Sequence, residues 1–356
     1  MDVTLTDRVS VGARHRARWP CTLTVFVLLW TVVLLAHLAL SGRWWLWLIP
    51  AAVPPLVFVG VPVLLGAGLV VARVRRGTPA RRMIVPGAVL ITGLVAGLPQ
   101  SGVVVPSFRR DDDDAVAPPI RVVSWNSDFW DQDDDPEVFF RYLRDFDADV
   151  YLLQERWVRT PRGPAAADDL ATVQHWFPGY RAVTKGPLLT LSRLPVADVP
   201  AVPADRVLRT DVQVSGERLA LVNVHVPVQF RFELGVLDPA FYRDMRERDR
   251  ARKAKLGVVA DEVADRGDRP TIVAGDFNSS AAMGELGPLR GAMNDAAAEA
   301  GRVLPLSWQI AGLRLWRVDW AFTSGGVRAL DYDLRDPQGM SDHDAQVVEL
   351  AVGGDQ

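Results

Sequence analysis

The sequence predicts an α/β fold of two packed β-sheets flanked by helices, preceded by three apolar helices long enough to cross a membrane. Three observations lead there. The chain of 356 residues changes character near Val105, where an apolar, arginine-bearing front gives way to ordinary globular composition. Three stretches of that front reach the roughly 20 apolar residues that a hydrocarbon core of about 30 Å demands. Behind them, short runs of β character alternate with segments of helical spacing, an order that suits packed sheets with covering helices.

The first apolar stretch, Thr22 to Leu40, carries no charged acid or arginine. The second runs from Trp44 to Ala72 and opens on Trp44, Trp45 and Trp47, residues suited to an interfacial belt. Its Pro50, Pro54, Pro55 and Pro62 predict a kink, and it is too short for two crossings. The third runs from Met83 to Val105 and is closed by Pro106. Arg8, Arg14, Arg16 and Arg18 precede the first stretch, and Arg73, Arg75, Arg76, Arg81 and Arg82 separate the second from the third. Only Arg43 lies between the first and second. Positive charge stays cytoplasmic. The expectation is therefore a multi-pass cell-membrane protein with a cytoplasmic N-terminus and an extracytoplasmic body. A cleaved signal peptide is the alternative for the first stretch; the two spans behind it and the lack of a small-residue cleavage site argue against it.

Residues 1–106 form the expected anchor, 107–119, with Asp111 to Asp114, a solvated acidic linker, and 120–352 the globular body. Charge divides along the same line. The anchor holds ten Arg, no Lys and two acids, a net +8, while the rest holds 30 basic and 41 acidic residues, a net −11. Long nucleic acids are held mainly by Lys and Arg that displace counterions. The body has no such general attraction, although a divalent cation or a local basic patch would supply one. Cys21 is the only cysteine, so no intrachain disulfide forms and the redox compartment stays unread.

Within the body, Ile120 to Trp125 reads as a strand, Pro136 to Phe146 as a helix opened by proline, and Val150 to Leu153 as a second strand. Leu188 to Ser192, Val207 to Val214 and Leu219 to Val224 follow, the last two joined as a hairpin across Ser215-Gly216. Pro239 to Asp265 is a long charged helix, and Thr271 to Ala274, Val318 to Thr323 and Gln346 to Val352 are further strands. Polar residues cluster where these strands end. They are Asn126; Glu155 in Leu152-Leu153-Gln154-Glu155; His225 in Asn223-Val224-His225; Asp276 and Asn278 in Gly275-Asp276-Phe277-Asn278; Asp319 in Arg317-Val318-Asp319-Trp320; and Asp342 with His343 in Ser341-Asp342-His343.

Phosphoester hydrolysis needs such a set. A hard divalent cation prefers oxygen ligands, usually one or two carboxylates plus water and substrate oxygens. A base must take a proton from the attacking water, and a second group must orient the base. Neutral amides can hold a phosphate without adding repulsion.

Taken in order, these residues resemble the endonuclease/exonuclease/phosphatase superfamily over about Ile120 to Leu350. The resemblance implies a four-layer α/β sandwich and a role for each matching position. Glu155 would be the principal metal carboxylate, with Asn126 and Asp342 beside it, and the metal would be Mg²⁺ or Mn²⁺. His343 would be the general base, oriented by Asp319. Asp276 and Asn278 would place the water and a phosphate oxygen, and His225 would stabilise the phosphate or assist the leaving group.

Blander readings stand beside these. Glu155 could be a surface carboxylate, and Asp276 with Asn278 an Asx turn. Asn223 could be a polar strand residue without a chemical role, and His175 matches nothing and reads as structural. Arg193 occupies a position that in the family supports the site. Asp128, Asp131, Asp133, Asp134, Asp135 and Glu137 read as a solvated loop into a helix, or else a second cation site. Trp308, Trp316 and Trp320 read as core or sheet-edge residues.

The layout is similar to three-span actinobacterial membrane members of the superfamily, among them proteins linked to teicoplanin resistance, which implies a lipid-linked phosphate, pyrophosphate or phosphodiester as substrate. The signature of inositol-polyphosphate phosphatases is absent: Leu315-Trp316-Arg317-Val318-Asp319-Trp320 stands in its place. A surface nuclease acting on extracellular DNA or RNA is the second reading, and a silent sensor module the third. The sequence gives no basis for inferring a protein partner.

Overall fold

The computed structural model describes residues 6–107, 118–129 and 136–353. Asp111 to Asp114 of the expected linker, and Asp131, Asp133, Asp134 and Asp135 of the acidic cluster, lie outside the described residues. The chain divides into two compact units, Met1–Val103 with Ala281–Gly284, and Val104–Ser280 with Glu285–Gln356.

The first unit contains α1 (Thr6–Leu40), α2 (Leu48–Ala51), α3 (Val57–Arg76) and α4 (Arg81–Gly97). Three stretches are helical, long and apolar enough to cross a membrane: Thr22–Leu40, Val57–Arg75 and Arg81–Gln100. The second starts at Val57, not at Trp44. Pro54 and Pro55 break the stretch where the sequence predicts only a kink, because neither can donate the backbone bond that would continue a helix. The tryptophan-rich opening is a single 3₁₀ turn, Trp45–Trp47, followed by α2. Pro62 alone is accommodated inside α3. Val27 of α1, Leu69 of α3 and Leu90 of α4 pack together in this unit.

The second unit is a four-layer α/β sandwich. Its strands begin with β1 (Ile120–Asn126), β2 (Val150–Gln154), the hairpin β3 (Trp157–Thr160) and β4 (Gly163–Ala166), β5 (Arg181–Lys185) and β6 (Leu188–Ser192). They continue with β7 (Val196–Asp198), β8 (Val207–Val214), β9 (Glu217–His225), β10 (Thr271–Asp276) and β11 (Asn294–Asp295). Last come the hairpin β12 (Trp308–Ile310) and β13 (Leu313–Trp316), then β14 (Asp319–Ser324), β15 (Val327–Arg335) and β16 (Ala345–Val352). One six-stranded sheet runs β15-β16-β1-β2-β6-β5 and the other β11-β14-β10-β9-β8-β7. The main helices are α5 (Pro136–Asp145), α6 (Leu170–Trp176) and α7 (Pro239–Arg266).

Successive side chains on a strand face opposite ways, so a strand covered on both faces must be apolar throughout. Strand β1 shows this. Val122 joins Leu152, Leu221, Ile272 and Ala321 in the layer between the sheets, while neighbouring Val123 joins Tyr151, Leu191 and Leu143 of α5 in the layer beneath the helices. The other sheet is tied to α7 by polar bonds. Arg209 of β8 binds Glu262 at 3.2 Å, and the Arg266 Nε donates to Thr271 of β10 at 2.7 Å.

Two parallel pairs set up the site. β1 pairs with β2 so that Asn126 lies opposite Gln154. β9 pairs with β10 so that His225 lies opposite Asp276, and antiparallel β14 brings Asp319 opposite Asp276 from the other side. The carboxyl ends of β1, β2, β9 and β10 are thus gathered at one end of the sandwich, where parallel strands leave a crevice for ligands.

Candidate active site

Glu155 is the first residue beyond β2, and it sits in the left-handed backbone region at φ 56°. Such a conformation is uncommon for a residue with a long side chain and is retained where the surroundings impose it. Its side chain is about one-fifth exposed, at 21%. Asp276 ends β10 and is fully buried. The preceding Gly275 is required there: at φ 147° a Cβ would sit 1.9 Å from the Val224 carbonyl oxygen, so no other residue lets β9 and β10 approach so closely. Asn278, also left-handed at φ 46°, folds back on Asp276. Its backbone N–H donates to Asp276 Oδ1 at 2.7 Å and its Nδ2 to Oδ2 at 2.8 Å. The Asx turn of the bland reading is present, and it serves to fix the carboxylate.

Asp276 is the hub. Asn126 Nδ2 donates to its Oδ2 at 3.0 Å. Nε2 of His225 stands 3.7 Å from the same oxygen and 3.3 Å from Glu155 Oε1. Nε2 of His343 stands 4.0 Å from it. Two groups of donor atoms close enough to share a cation result, Glu155 with His225 and Asp276, and Asp276 with Asp319 and His343. The two groups share Asp276, so Glu155 and His343 belong to one constellation.

On the His343 side, Nδ1 lies 2.8 Å from Asp319 Oδ2. The backbone N–H of His343 donates to Ser341 Oγ at 3.0 Å, and the Ser341 hydroxyl donates to the Asn126 carbonyl at 2.8 Å. This ties the Ser341-Asp342-His343 loop to the end of β1. Asp342 is the most open of the set, 45% exposed, with Oδ1 3.6 Å from His343 Nε2 and Oδ2 accepting the Trp308 indole N–H at 2.7 Å. Among the described residues Asp342 belongs to neither donor group. Asn126 turns its Oδ1 to the backbone N–H of Asp128 at 3.0 Å.

Burial and charge act on these groups in opposite senses. Burial raises the Asp276 carboxyl to about 7, with His343 pulling it down and Asp319 and Glu155 pushing it up. Burial likewise raises Glu155, opposed by Asn126 and His343. His225 is held well below the ordinary histidine value by burial first and then by the charges of Arg206, His343 and Lys255, which favours its neutral form. His343 is burdened by the same burial, yet Asp319 and Asp276 outweigh it and hold the ring well above the ordinary value.

Several functional neighbours escape a reading of the sequence. Ser307 is fully buried, donates to Asp319 Oδ2 at 2.6 Å and accepts the Asp319 backbone N–H at 3.2 Å. Trp308, assigned from sequence to the core or sheet edge, holds Asp342. Arg252 of α7 lies beneath the turn after Asp276, donating to Ser279 Oγ at 2.7 Å, to the Asn278 carbonyl at 3.1 Å, and to the Pro227 carbonyl and Glu285. A signal for it exists: Arg252 falls on the buried stripe Met245, Asp249, Leu256, Val259, Val263.

Other residues lie elsewhere. Asn223 joins the two sheets, accepting from Gln154 Nε2 at 2.8 Å and donating to the Leu153 carbonyl at 3.1 Å. Arg193 departs from its expected supporting place: it binds Asp149 and Asp147, both at 2.7 Å, at the entry end of β2, because the antiparallel pairing of β6 carries it away from Glu155. His175 is exposed on α6, and Trp320 is buried with its N–H on the Ser279 carbonyl at 2.8 Å. Asp128, from the acidic cluster, feels Asp342 and His343 after its own burial, all within reach of the site.

Solved structures similar to this chain include truncated Caenorhabditis elegans TDP2, with 18% identity, 66% of this chain and 98% of that chain covered, and a TM-score of 0.48. An endonuclease/exonuclease/phosphatase from Bacteroides vulgatus shows 15% identity, coverage of 66% and 100%, and a TM-score of 0.48. The human Nocturnin catalytic domain with bound sulfate anion shows 15% identity, coverage of 68% and 97%, and a TM-score of 0.48. No curated protein matches the chain. The model of the Endonuclease/Exonuclease/phosphatase family matches residues 123–343, and the chain belongs to that family.

Proposed function

We propose that this protein is a membrane-anchored, extracytoplasmic phosphoester hydrolase dependent on Mg²⁺ or Mn²⁺, acting on a lipid-linked phosphate, pyrophosphate or phosphodiester. The observation that carries the hydrolase reading is the sharing of Asp276 between the Glu155–His225 group and the Asp319–His343 pair. The three apolar helices support the anchor, and the arginine asymmetry supports the orientation.

The donor set fits a hard divalent cation. Glu155 and Asp276 are crowded carboxylates whose charged forms burial disfavours, the imbalance that a bound cation relieves. Glu155 and Asp276, with Asn126 or Asp342 at their margin, would hold it. Bound there, it would neutralise phosphate charge and polarise the phosphoryl oxygen.

The chain's own residues supply the rest. Unprotonated Nε2 of His343 accepts the proton of the attacking water, while Asp319 fixes the ring through Nδ1 and stabilises the imidazolium that results. Asn278 orients Asp276 through two hydrogen bonds and leaves its carboxylate directed into the site. His225, neutral, donates a hydrogen bond to an anionic oxygen without requiring a proton from solvent. No covalent enzyme intermediate is needed, since water itself is the nucleophile.

The full chain in detergent micelles, assayed with Mg²⁺ or Mn²⁺ against a polyprenyl diphosphate, phospholipids, plasmid DNA and RNA, tests the reading. Lipid-phosphate turnover that disappears in Glu155→Ala and His343→Ala is expected. DNA or RNA cleavage without lipid turnover would replace the substrate assignment by the nuclease, and inactivity throughout would leave the sensor module.

A further inference from the structure

Arg206 has an unusual setting. Its backbone is left-handed at φ 56°, and its carbonyl accepts the backbone N–H of His225 at 3.0 Å. Its guanidinium lies 5.4 Å from the ring centroid of Trp157. Trp157 follows Glu155 by two residues, and its N–H donates to the Glu155 carbonyl at 2.6 Å. One residue therefore bridges the backbones that present His225 and Glu155. A guanidinium within about 6 Å of an aromatic centroid is attracted to the ring face and held in one place.

Most other cations of the body face carboxylates. Arg209 binds Asp211, Arg314 binds Asp344, Arg317 binds Asp295, and the neighbouring Lys255 binds Asp205. Arg206 forms no ion pair with a carboxylate among the described residues, although its charge is one of those felt by buried His225. The guanidinium of a partly exposed arginine, set on an aromatic ring at the edge of an acidic site, is suited to an incoming anion. Its planar fork matches two phosphoryl oxygens at once.

We propose that Arg206, seated on Trp157, binds the second phosphoryl group of a diphosphate ester, so that the site takes a diphosphate in preference to the monophosphate of the same alcohol. The inference rests on the phosphoester-hydrolase reading and narrows its substrate class. In the reaction, water adds to the terminal phosphorus as the bond from that phosphorus to the bridging oxygen breaks. Alkyl monophosphate and orthophosphate leave, with one proton released to His343 and then to solvent. Arg206 holds the alkyl phosphate, the group that departs.

Geranylgeranyl diphosphate and geranylgeranyl monophosphate serve as competing probes of bis(p-nitrophenyl) phosphate hydrolysis by the full chain in detergent, with free Mg²⁺ in excess. The reading is the ratio of the two inhibition constants, from which a general loss of folding or affinity cancels. The wild type should bind the diphosphate more tightly. Arg206→Ala should cut that preference by about tenfold or more, the worth of a hydrogen bond to a charged group. Arg206→Lys should restore part of it, and Arg193→Ala, at the other end of β2, should leave it unchanged. A wild type without the preference, or an Arg206→Ala ratio equal to the wild-type ratio, overturns the inference while the hydrolase stands. A chain that cleaves no phosphoester overturns the hydrolase reading and this one with it.

Discussion

Asp319 Oδ2 receives the Ser307 hydroxyl at 2.6 Å and stands 2.8 Å from Nδ1 of His343. One carboxylate oxygen therefore orients the imidazole and is itself oriented by a buried serine. The other ring nitrogen is directed toward Asp276, 4.0 Å away, and Asp342, 3.6 Å away. Nδ1 is occupied and Nε2 faces Asp276 and Asp342, the arrangement that the proposed general base would require.

Asp319→Asn should lower kcat by about 10²- to 10⁴-fold, the range of general-base catalysis. It should also move the acid limb of the pH–rate profile. A base works unprotonated, and Asp319 favours the protonated ring, holding His343 above its ordinary value. Removing that negative charge lowers the value, so the limb shifts to lower pH. A limb that stays in place or climbs would separate Asp319 from the base.

Metal and protons should compete for the same carboxylates. Asp276 is raised from 3.8 to about 7, and an acid raised on folding contributes stability that is present below its unfolded value and lost as pH rises through its folded one. His343, also raised, has the same sign, and lowered His225 already contributes fully above its unfolded value. Asp276 has therefore lost most of its contribution by about pH 7, and from about pH 6.5, where His225 adds no further gain, raised His343 continues the loss of thermal stability of the metal-free chain as pH rises. Saturating Mg²⁺ should raise the melting temperature more at the upper end, because ligands must be deprotonated to bind it. Differential scanning in EDTA and in Mg²⁺ measures both effects. An increment that is larger at low pH, or that persists in the Glu155→Gln, Asp276→Asn double variant, would remove the cation from this site.

The parts legible in the sequence were those whose signal is local. Strands β6 and β8 follow their apolar runs residue for residue, and the strand-end polar residues need only a strand and its stop. Strand β15 was hidden because its register shifts between Ala329 and Asp331, so the inward side chains are Val327 and Ala329, then Tyr332. The alternation a reader counts is broken by that bulge. The β3–β4 hairpin has Gly163-Pro164-Ala165-Ala166 as its second arm, with no β-branched residue to announce it. Ser307 and Trp308 act across distances in the chain that no spacing encodes. Arg252 was masked by its charged neighbours, which conceal which arginine of α7 turns inward.

Arg252 is the next case to test. Its side chain is 0% exposed and that of its partner Glu285 3% exposed. Breaking a buried pair from one side leaves an uncompensated charge, at a cost of about 3–5 kcal/mol. Arg252→Met should therefore destabilise the chain strongly in urea unfolding, and Arg252→Met with Glu285→Gln should recover part of the loss. A double variant no better than the single one would show that Glu285 is not the group left stranded.

The proposed orientation in the membrane rests on where the arginines lie. Arg73, Arg75, Arg76, Arg81 and Arg82 fall at the junction between α3 and α4, while Arg43 is alone between α1 and α3. In the proposed orientation the positively charged link would stay cytoplasmic, and three crossings would carry the C-terminal unit to the outside. A phosphatase reporter that folds only outside the cytoplasm, fused after Gln356, should be active, and a fluorescent reporter that folds only inside should be dark. Replacing the five arginines of the α3–α4 junction by glutamine weakens the bias without altering any apolar stretch, so a mixed population should appear, with some of the fluorescent fusion lit. If the fluorescent fusion is already bright in the unaltered chain, the catalytic unit faces the cytoplasm and lipid substrates of the outer leaflet are beyond its reach.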